Sequence, residues 1–110
     1  MASFIKVATV ADIPTDSGKT LEAGGRQIAL FNAGGKFFAI DNTCKHRGGP
    51  LGEGELDGTT VACPWHGWEY DITTGANLDD ASVKLGCYPV KIEDDDILIE
   101  ARAPLLSRCE

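Results

Sequence analysis

The sequence predicts an all-β fold, built as a small antiparallel β-sandwich or barrel-like domain. Three observations carry this prediction: the apolar runs are short, turn residues separate them, and no window of about 11 residues shows the period of an amphipathic helix. The chain has 110 residues, of which 13 are glycine. That length and turn density suit a single β-domain.

Six short apolar runs predict the strands, and glycine, asparagine and aspartate mark the turns between them. The Asn-Ala-Gly-Gly segment at residues 32–35 predicts a hairpin, because glycine adopts positive φ without steric cost. Asp57-Gly58 precedes another run, and Asp94-Asp95-Asp96 joins the last two. The predicted strands cover residues 4–7, 27–31, 37–40, 59–63, 88–92 and 97–99.

Composition and charge narrow the functions that the chain can have. Hydrophobic residues make up 43% and charged residues 25% of the sequence, which is typical of a globular domain and not of a disordered chain. The net charge of -7 disfavours sequence-independent nucleic-acid binding, because phosphates are repelled. No apolar run approaches the ~20 residues of a membrane helix, and the first residues lack the apolar core of a signal peptide. We therefore expect one cytoplasmic domain over residues 1–110, with residues 101–110 as a C-terminal extension.

The cysteines and histidines form a paired motif that predicts a metal site. Cys44-x-His46 is followed, after 16 residues, by Cys63-x-x-His66, and these are both of the histidines in the chain. A Cys2His2 set is compatible with a structural zinc ion. It is equally the ligand set of a [2Fe–2S] cluster in which two cysteines hold one iron and two histidines hold the other. Because each segment supplies one cysteine and one histidine, the spacing favours the dinuclear cluster.

The residues around these ligands carry a family resemblance. Cys-Lys-His-Arg-Gly at residues 44–48 and Cys-Pro-Trp-His-Gly-Trp at residues 63–68 resemble the two cluster-binding loops of the Rieske family. The resemblance covers roughly the first hundred residues in strand and loop order. It implies a Rieske-type β-domain with one [2Fe–2S] cluster at its two-loop tip. It further implies that Cys44 and Cys63 bind the inner iron, and that His46 and His66 bind the outer iron near solvent.

Differences within the family predict which kind of member this is. High-potential respiratory members carry a disulfide-forming cysteine in each loop, where this chain has Gly49 and Trp65, and a serine where it has Trp68. The loops look more like those of ring-hydroxylating oxygenases, yet no histidine is left for a mononuclear iron site. The resemblance therefore implies a free-standing ferredoxin of low reduction potential rather than an enzyme.

The resemblance also implies partners and leaves alternatives open. It implies that the chain carries one electron from an NAD(P)H-dependent flavin reductase to a terminal oxygenase. The alternatives are the Rieske-fold small subunit of an assimilatory nitrite reductase and, in a different class, a zinc-stabilised interaction module.

Several neighbours of the motif have two possible roles. Lys45 and Arg47 either form a positive rim for docking a partner or are solvated loop charges. Trp65 and Trp68 either shield the cluster from water, stand at a docking surface, or pack as ordinary loop aromatics. Tyr70 is either a hydrogen-bond donor to a ligand sulfur, as the family's tyrosine can be, or an exposed strand residue. The two remaining cysteines are expected to be a small buried apolar residue, Cys87, and an exposed thiol, Cys109.

Overall fold

The computed structural model describes residues 4–23, 25–43, 49–65, 67–80 and 82–100. These residues form ten β-strands and two short 3-10 helices, Val10–Asp12 and Leu51–Glu53. In chain order, the strands are β1 Phe4–Thr9, β2 Ser17–Ala23, β3 Arg26–Ala33, β4 Lys36–Asp41, β5 Glu55–Asp57, β6 Thr60–Ala62, β7 Glu69–Asp71, β8 Cys87–Tyr88, β9 Val90–Glu93 and β10 Asp96–Glu100. The all-β prediction is confirmed.

The strands pair into three antiparallel sheets. The first has the order β1-β10-β9, the second β2-β3-β4-β8 and the third β5-β6-β7. In the described part of the chain, no helix is long and apolar enough to cross a membrane.

The second sheet is the central layer, because apolar side chains cover both of its faces. On β3, Ile28 and Leu30 point into a core shared with Ile97 and Ile99 of β10. The alternate residues Ala29 and Phe31 point to the opposite side, into a core shared with the third sheet. A strand that is buried on both faces has a continuous apolar run, which is why β3 and β4 were predictable from sequence.

Each of the predicted turns is present. Gly34 and Gly35 both have positive φ, at 61° and 96°, and they connect Ala33 to Lys36 in the β3–β4 hairpin. Gly58 turns β5 into β6 with a φ of 64°. Asp94 takes a φ of 56° between β9 and β10, a conformation that aspartate tolerates better than most side chains.

The third sheet carries the predicted metal-binding segment. Its strands β5, β6 and β7 each have three residues, and the middle residue of each faces the core: Leu56, Val61 and Tyr70. Cys63 follows β6 directly. The second predicted ligand loop is therefore the β6–β7 connection.

Candidate metal centre

The structure describes one of the four predicted ligands, Cys63. Cys44, His46 and His66 lie outside the described residues, as do Lys45 and Arg47. Within the described ranges, no group of three or more histidine, cysteine, aspartate and glutamate side chains could hold a metal ion. The four-residue ligand set thus remains a prediction, and the structure shows how its scaffold is built.

Cys63 is a buried, unbonded thiol at the end of β6. Its exposed fraction is 3%, and it is a free cysteine. It packs in the core with Val61 and Tyr70, both fully buried. A thiolate is the ligand form of cysteine, and low solvent access helps to set the electronic properties of a bound metal. The environment of Cys63 therefore fits a ligand on the inner side of a metal site.

Backbone hydrogen bonds close the connection that begins at Cys63. The Cys63 N–H donates to the carbonyl of Trp68 at 2.7 Å, and the Gly67 N–H donates back to the carbonyl of Cys63 at 2.9 Å. Gly67 has a φ of 76°, which glycine adopts without the steric cost that a side chain incurs. The loop is therefore tight, and its two ends are held in register with β6 and β7.

Gly49 approaches Cys63 so closely that an added Cβ would clash with its sulfur. A Cβ at residue 49 would lie 2.6 Å from the Cys63 Sγ and 3.1 Å from Cγ of Trp65. The segment that follows Cys44 and His46 in the chain thus contacts the segment that carries Cys63. It also places Gly49 beside Trp65, the two positions at which the respiratory members carry their loop cysteines.

The three aromatic residues of the predicted site have different surroundings. Trp65 is 58% exposed, and its ring lies against Gly49, so it stands at the surface. Trp68 is half-buried and packs against the core. Tyr70 is fully buried, so the interpretation of Tyr70 as an exposed strand residue is wrong. Its burial is compatible with the other interpretation, in which the Tyr70 hydroxyl donates to a ligand sulfur.

Cys87 differs in part from its prediction. It is fully buried in the same core as Cys63, as expected for a small apolar residue. It is also disulfide-bonded, which the sequence analysis did not predict. Cys109 lies outside the described residues.

The outward face of the third sheet is acidic. Glu55, Ala62 and Glu69 are aligned across its three strands, and Asp57, Thr60 and Asp71 form the next row. The two ion pairs of the described residues lie elsewhere, on the first sheet, between Lys6 and Asp96 and between Lys91 and Glu93. Negative charge beside the predicted metal-binding loop would oppose the uptake of an electron.

The resolved pKa shifts in the described residues lie outside this loop. The Thr9 backbone N–H, followed by its side chain, lowers the pKa of Asp12. The hydroxyl and then the backbone N–H of Ser82 lower the pKa of Asp80. These carboxylates hold turns in place, and neither adjoins Cys63 in the sequence.

Three comparisons with known proteins agree with this geometry. A family model described as Rieske [2Fe-2S] domain matches residues 3–89. The 3-phenylpropionate/cinnamic acid dioxygenase ferredoxin subunit of Escherichia coli (strain K12) is 39% identical over 98 residues, which is 87% of this chain and 92% of that protein.

Solved structures show the same fold in two settings. A chain from the complex of reduced oxygenase and oxidized ferredoxin in carbazole 1,9a-dioxygenase superposes with a TM-score of 0.84 at 27% identity, covering 93% of this chain and 96% of that one. A Mycobacterium tuberculosis protein described as an NADH-dependent nitrite reductase small subunit superposes with a TM-score of 0.82 at 20% identity, covering 90% and 95%. The second similarity is one of fold alone.

Proposed function

Because the chain belongs to the Rieske [2Fe-2S] domain family, we propose that it carries single electrons from an NAD(P)H-dependent flavin reductase to a terminal aromatic-ring oxygenase. One Rieske-type [2Fe–2S] cluster is its cofactor. One observation carries the proposal: the dioxygenase ferredoxin subunit of E. coli is matched over 92% of its own length. We place the carrier in the cytoplasm, where its nicotinamide-dependent reductase would have access to NAD(P)H.

We assign Cys44 and Cys63 to the inner iron and His46 and His66 to the outer iron. Two ferric ions, two sulfides, two thiolates and two neutral imidazoles sum to zero charge, so one added electron leaves about one negative charge. Neutral imidazoles in place of two thiolates raise the potential above that of an all-cysteine cluster. The burial of Cys63 and the exposure of Trp65 support an orientation with the cysteine side inward.

The ligand assignment is tested by changing single cysteines. Cys63→Ser is expected to abolish the visible absorption of the cluster and its electron paramagnetic resonance signal, and to destabilise the fold, because metal binding and folding are coupled. Cys109→Ser is the matched control, since this cysteine stands outside the paired motif. A cluster that survives in Cys63→Ser, or is lost in Cys109→Ser, would overturn the assignment. A colourless protein with one bound zinc ion would support the zinc module.

The carrier role is tested by stopped-flow mixing. The protein is reduced by NADH and the flavin reductase of an aromatic dioxygenase system and then mixed with the oxidised terminal oxygenase. We expect rapid bleaching in the first step and recovery of the oxidised spectrum in the second. Slow exchange in both steps would contradict the role. Co-purification with a nitrite reductase large subunit from the native cell would instead support the alternative, with which this chain shares only a similarity of fold.

A further inference from the structure

Asn42 is a buried polar residue at the end of β4, just before the segment that carries Cys44 and His46. Its exposed fraction is 6%. Pro50, the last residue of this segment, leads into the second 3-10 helix, which begins at Leu51. Thr43 and Pro50 form an isolated antiparallel bridge. The first ligand segment therefore leaves and re-enters the scaffold at one place, and Asn42 lies there.

The carboxamide of Asn42 joins the scaffold to the returning chain. Its Oδ1 accepts one hydrogen bond from the buried Gly52 N–H at 2.8 Å and a second from the Thr20 hydroxyl at 3.0 Å. The backbone carbonyl of Asn42 accepts a hydrogen bond from the Leu51 N–H at 2.8 Å, and the backbone N–H of Asn42 donates to the Gln27 carbonyl at 3.1 Å. Both lone pairs of the side-chain oxygen are thus used.

The packing around Gly52 makes this junction rigid. A Cβ on Gly52 would lie 2.4 Å from the Thr20 hydroxyl oxygen and 2.6 Å from the Thr20 backbone nitrogen. The second 3-10 helix therefore packs closely against β2, and the Asn42 Oδ1 accepts hydrogen bonds from both. Leu51, the preceding residue in the chain, is fully buried in the core that contains Cys63. The junction is thus continuous with the packing around the one described ligand.

We propose that Asn42 is a positioning residue for the first ligand segment: its side chain fixes both ends of residues 43–50 and thereby sets how firmly Cys44 and His46 hold the cluster. The inference rests on the proposed function, because it takes those two residues to be ligands. Asn42 itself is not a ligand.

Asn32 provides a matched control within the same chain. It is 5% exposed, and its side chain also makes two hydrogen bonds, to the Ile13 carbonyl at 2.8 Å and from the Gly35 N–H at 2.9 Å. It holds the β3–β4 hairpin rather than a ligand segment. Asn32→Ala and Asn42→Ala should therefore lower the thermal unfolding midpoint by similar amounts, since each removes two hydrogen bonds of a buried side chain.

The experiment measures cluster release from the loaded protein in the presence of an iron chelator. We expect Asn42→Ala to release the cluster about tenfold faster than the wild type, which corresponds to about 1.4 kcal/mol, and to shift the g values of the reduced cluster. Asn32→Ala should stay within about twofold of the wild type. Asn42→Asp should restore slow release, because a carboxylate oxygen accepts both hydrogen bonds.

A milder variant covers the case in which Asn42→Ala does not fold. Thr20→Val removes one of the two donors and keeps the Gly52 bond, so it should fold and release the cluster about threefold faster. Equal release rates and equal g values in Asn42→Ala and Asn32→Ala would overturn the inference. If Asn42→Ala does not fold, a rate of cluster release from Thr20→Val equal to that of the wild type would also overturn the inference. A wild-type protein that binds no cluster after reconstitution would overturn the proposed function instead.

Discussion

Gly49→Ala is predicted to weaken cluster binding more than it weakens the fold. The added Cβ would stand 2.6 Å from the Cys63 Sγ, and ordinary contact begins at 3.4 Å, so one of the two groups must move by about 0.8 Å. In the cluster-free protein, the free thiol of Cys63 can rotate away. In the loaded protein, the proposed bond to iron would hold the sulfur, so the full displacement would fall on the backbone of the two loops.

The magnitude follows from the usual cost of overpacking, which is about 1–3 kcal/mol for an inserted methyl group. If this cost falls mainly on the loaded state, the cluster should be bound about 5- to 150-fold more weakly. Trp65 limits the cost on the other side, because its ring is 58% exposed and can yield toward solvent. We therefore expect the strain to be concentrated at Cys63.

The assay compares cluster release from the loaded protein with thermal unfolding of the cluster-free protein. Gly58→Ala is the control, because its φ of +64° strains an added side chain while nothing lies within 4 Å of the new Cβ. Its cost of about 1–2 kcal/mol should appear equally with and without the cluster. If Gly49→Ala retains its cluster as long as Gly58→Ala does, the close approach of Gly49 to Cys63 has no role in cluster binding.

Three further predictions concern the potential and the docking surface. Protein-film voltammetry should give a wild-type midpoint potential below about 0 mV, in the lower part of the family range, and a value above about +100 mV would contradict this prediction. Trp68→Ser should raise the midpoint potential if the new hydroxyl reaches a sulfide. Tyr70→Phe should lower the midpoint by roughly 65–130 mV if its hydroxyl donates to a ligand sulfur, whereas Tyr88→Phe, at an equally buried tyrosine that donates to an aspartate of β4, should leave it unchanged. Reversing the charges of Lys45 and Arg47 should change the association rate with the redox partner and its salt dependence, and identical rates at low salt would make these plain solvated charges.

The strands that sequence analysis predicted are those whose burial leaves a strong pattern. The run Ile28–Phe31 is apolar throughout because β3 is covered on both faces. The strands β2, β5 and β7 were not predicted. Strand β2 lies at the edge of its sheet, and its Gly18 is needed because the ring of Phe31 occupies the space of a Cβ. Strands β5 and β7 have three residues each, and in both of them acidic residues flank a single apolar residue, so no apolar run marks them in the sequence.

The parts of the candidate site that require a particular residue type for metal binding were predictable from the sequence. The parts that depend on how distant segments pack together were not. A thiol and an imidazole at fixed spacing indicate the two loops, and Cys63 was predicted as a ligand in this way. The role of Asn42 left no such signal, because the partners of its side chain lie 22 residues before it and 10 after it in the chain. Those contacts exist only once β2 and the second 3-10 helix have packed together. The burial of Tyr70 was missed for the same reason, since it depends on the third sheet closing over the central one.

The position of Cys63 explains why a small domain can hold a redox centre with little rearrangement. The residue is part of the same packed core as Phe31 and Ile40 of the central sheet, so its backbone cannot shift without disturbing residues that hold the domain together. Close-packed interiors resist such displacement, and under the proposed assignment a ligand held in this way would limit reorganisation when an electron arrives. Trp65, two residues later, is 58% exposed. One short connection therefore spans the distance from the rigid interior to the surface that a redox partner can approach, which is the arrangement that a carrier of single electrons requires.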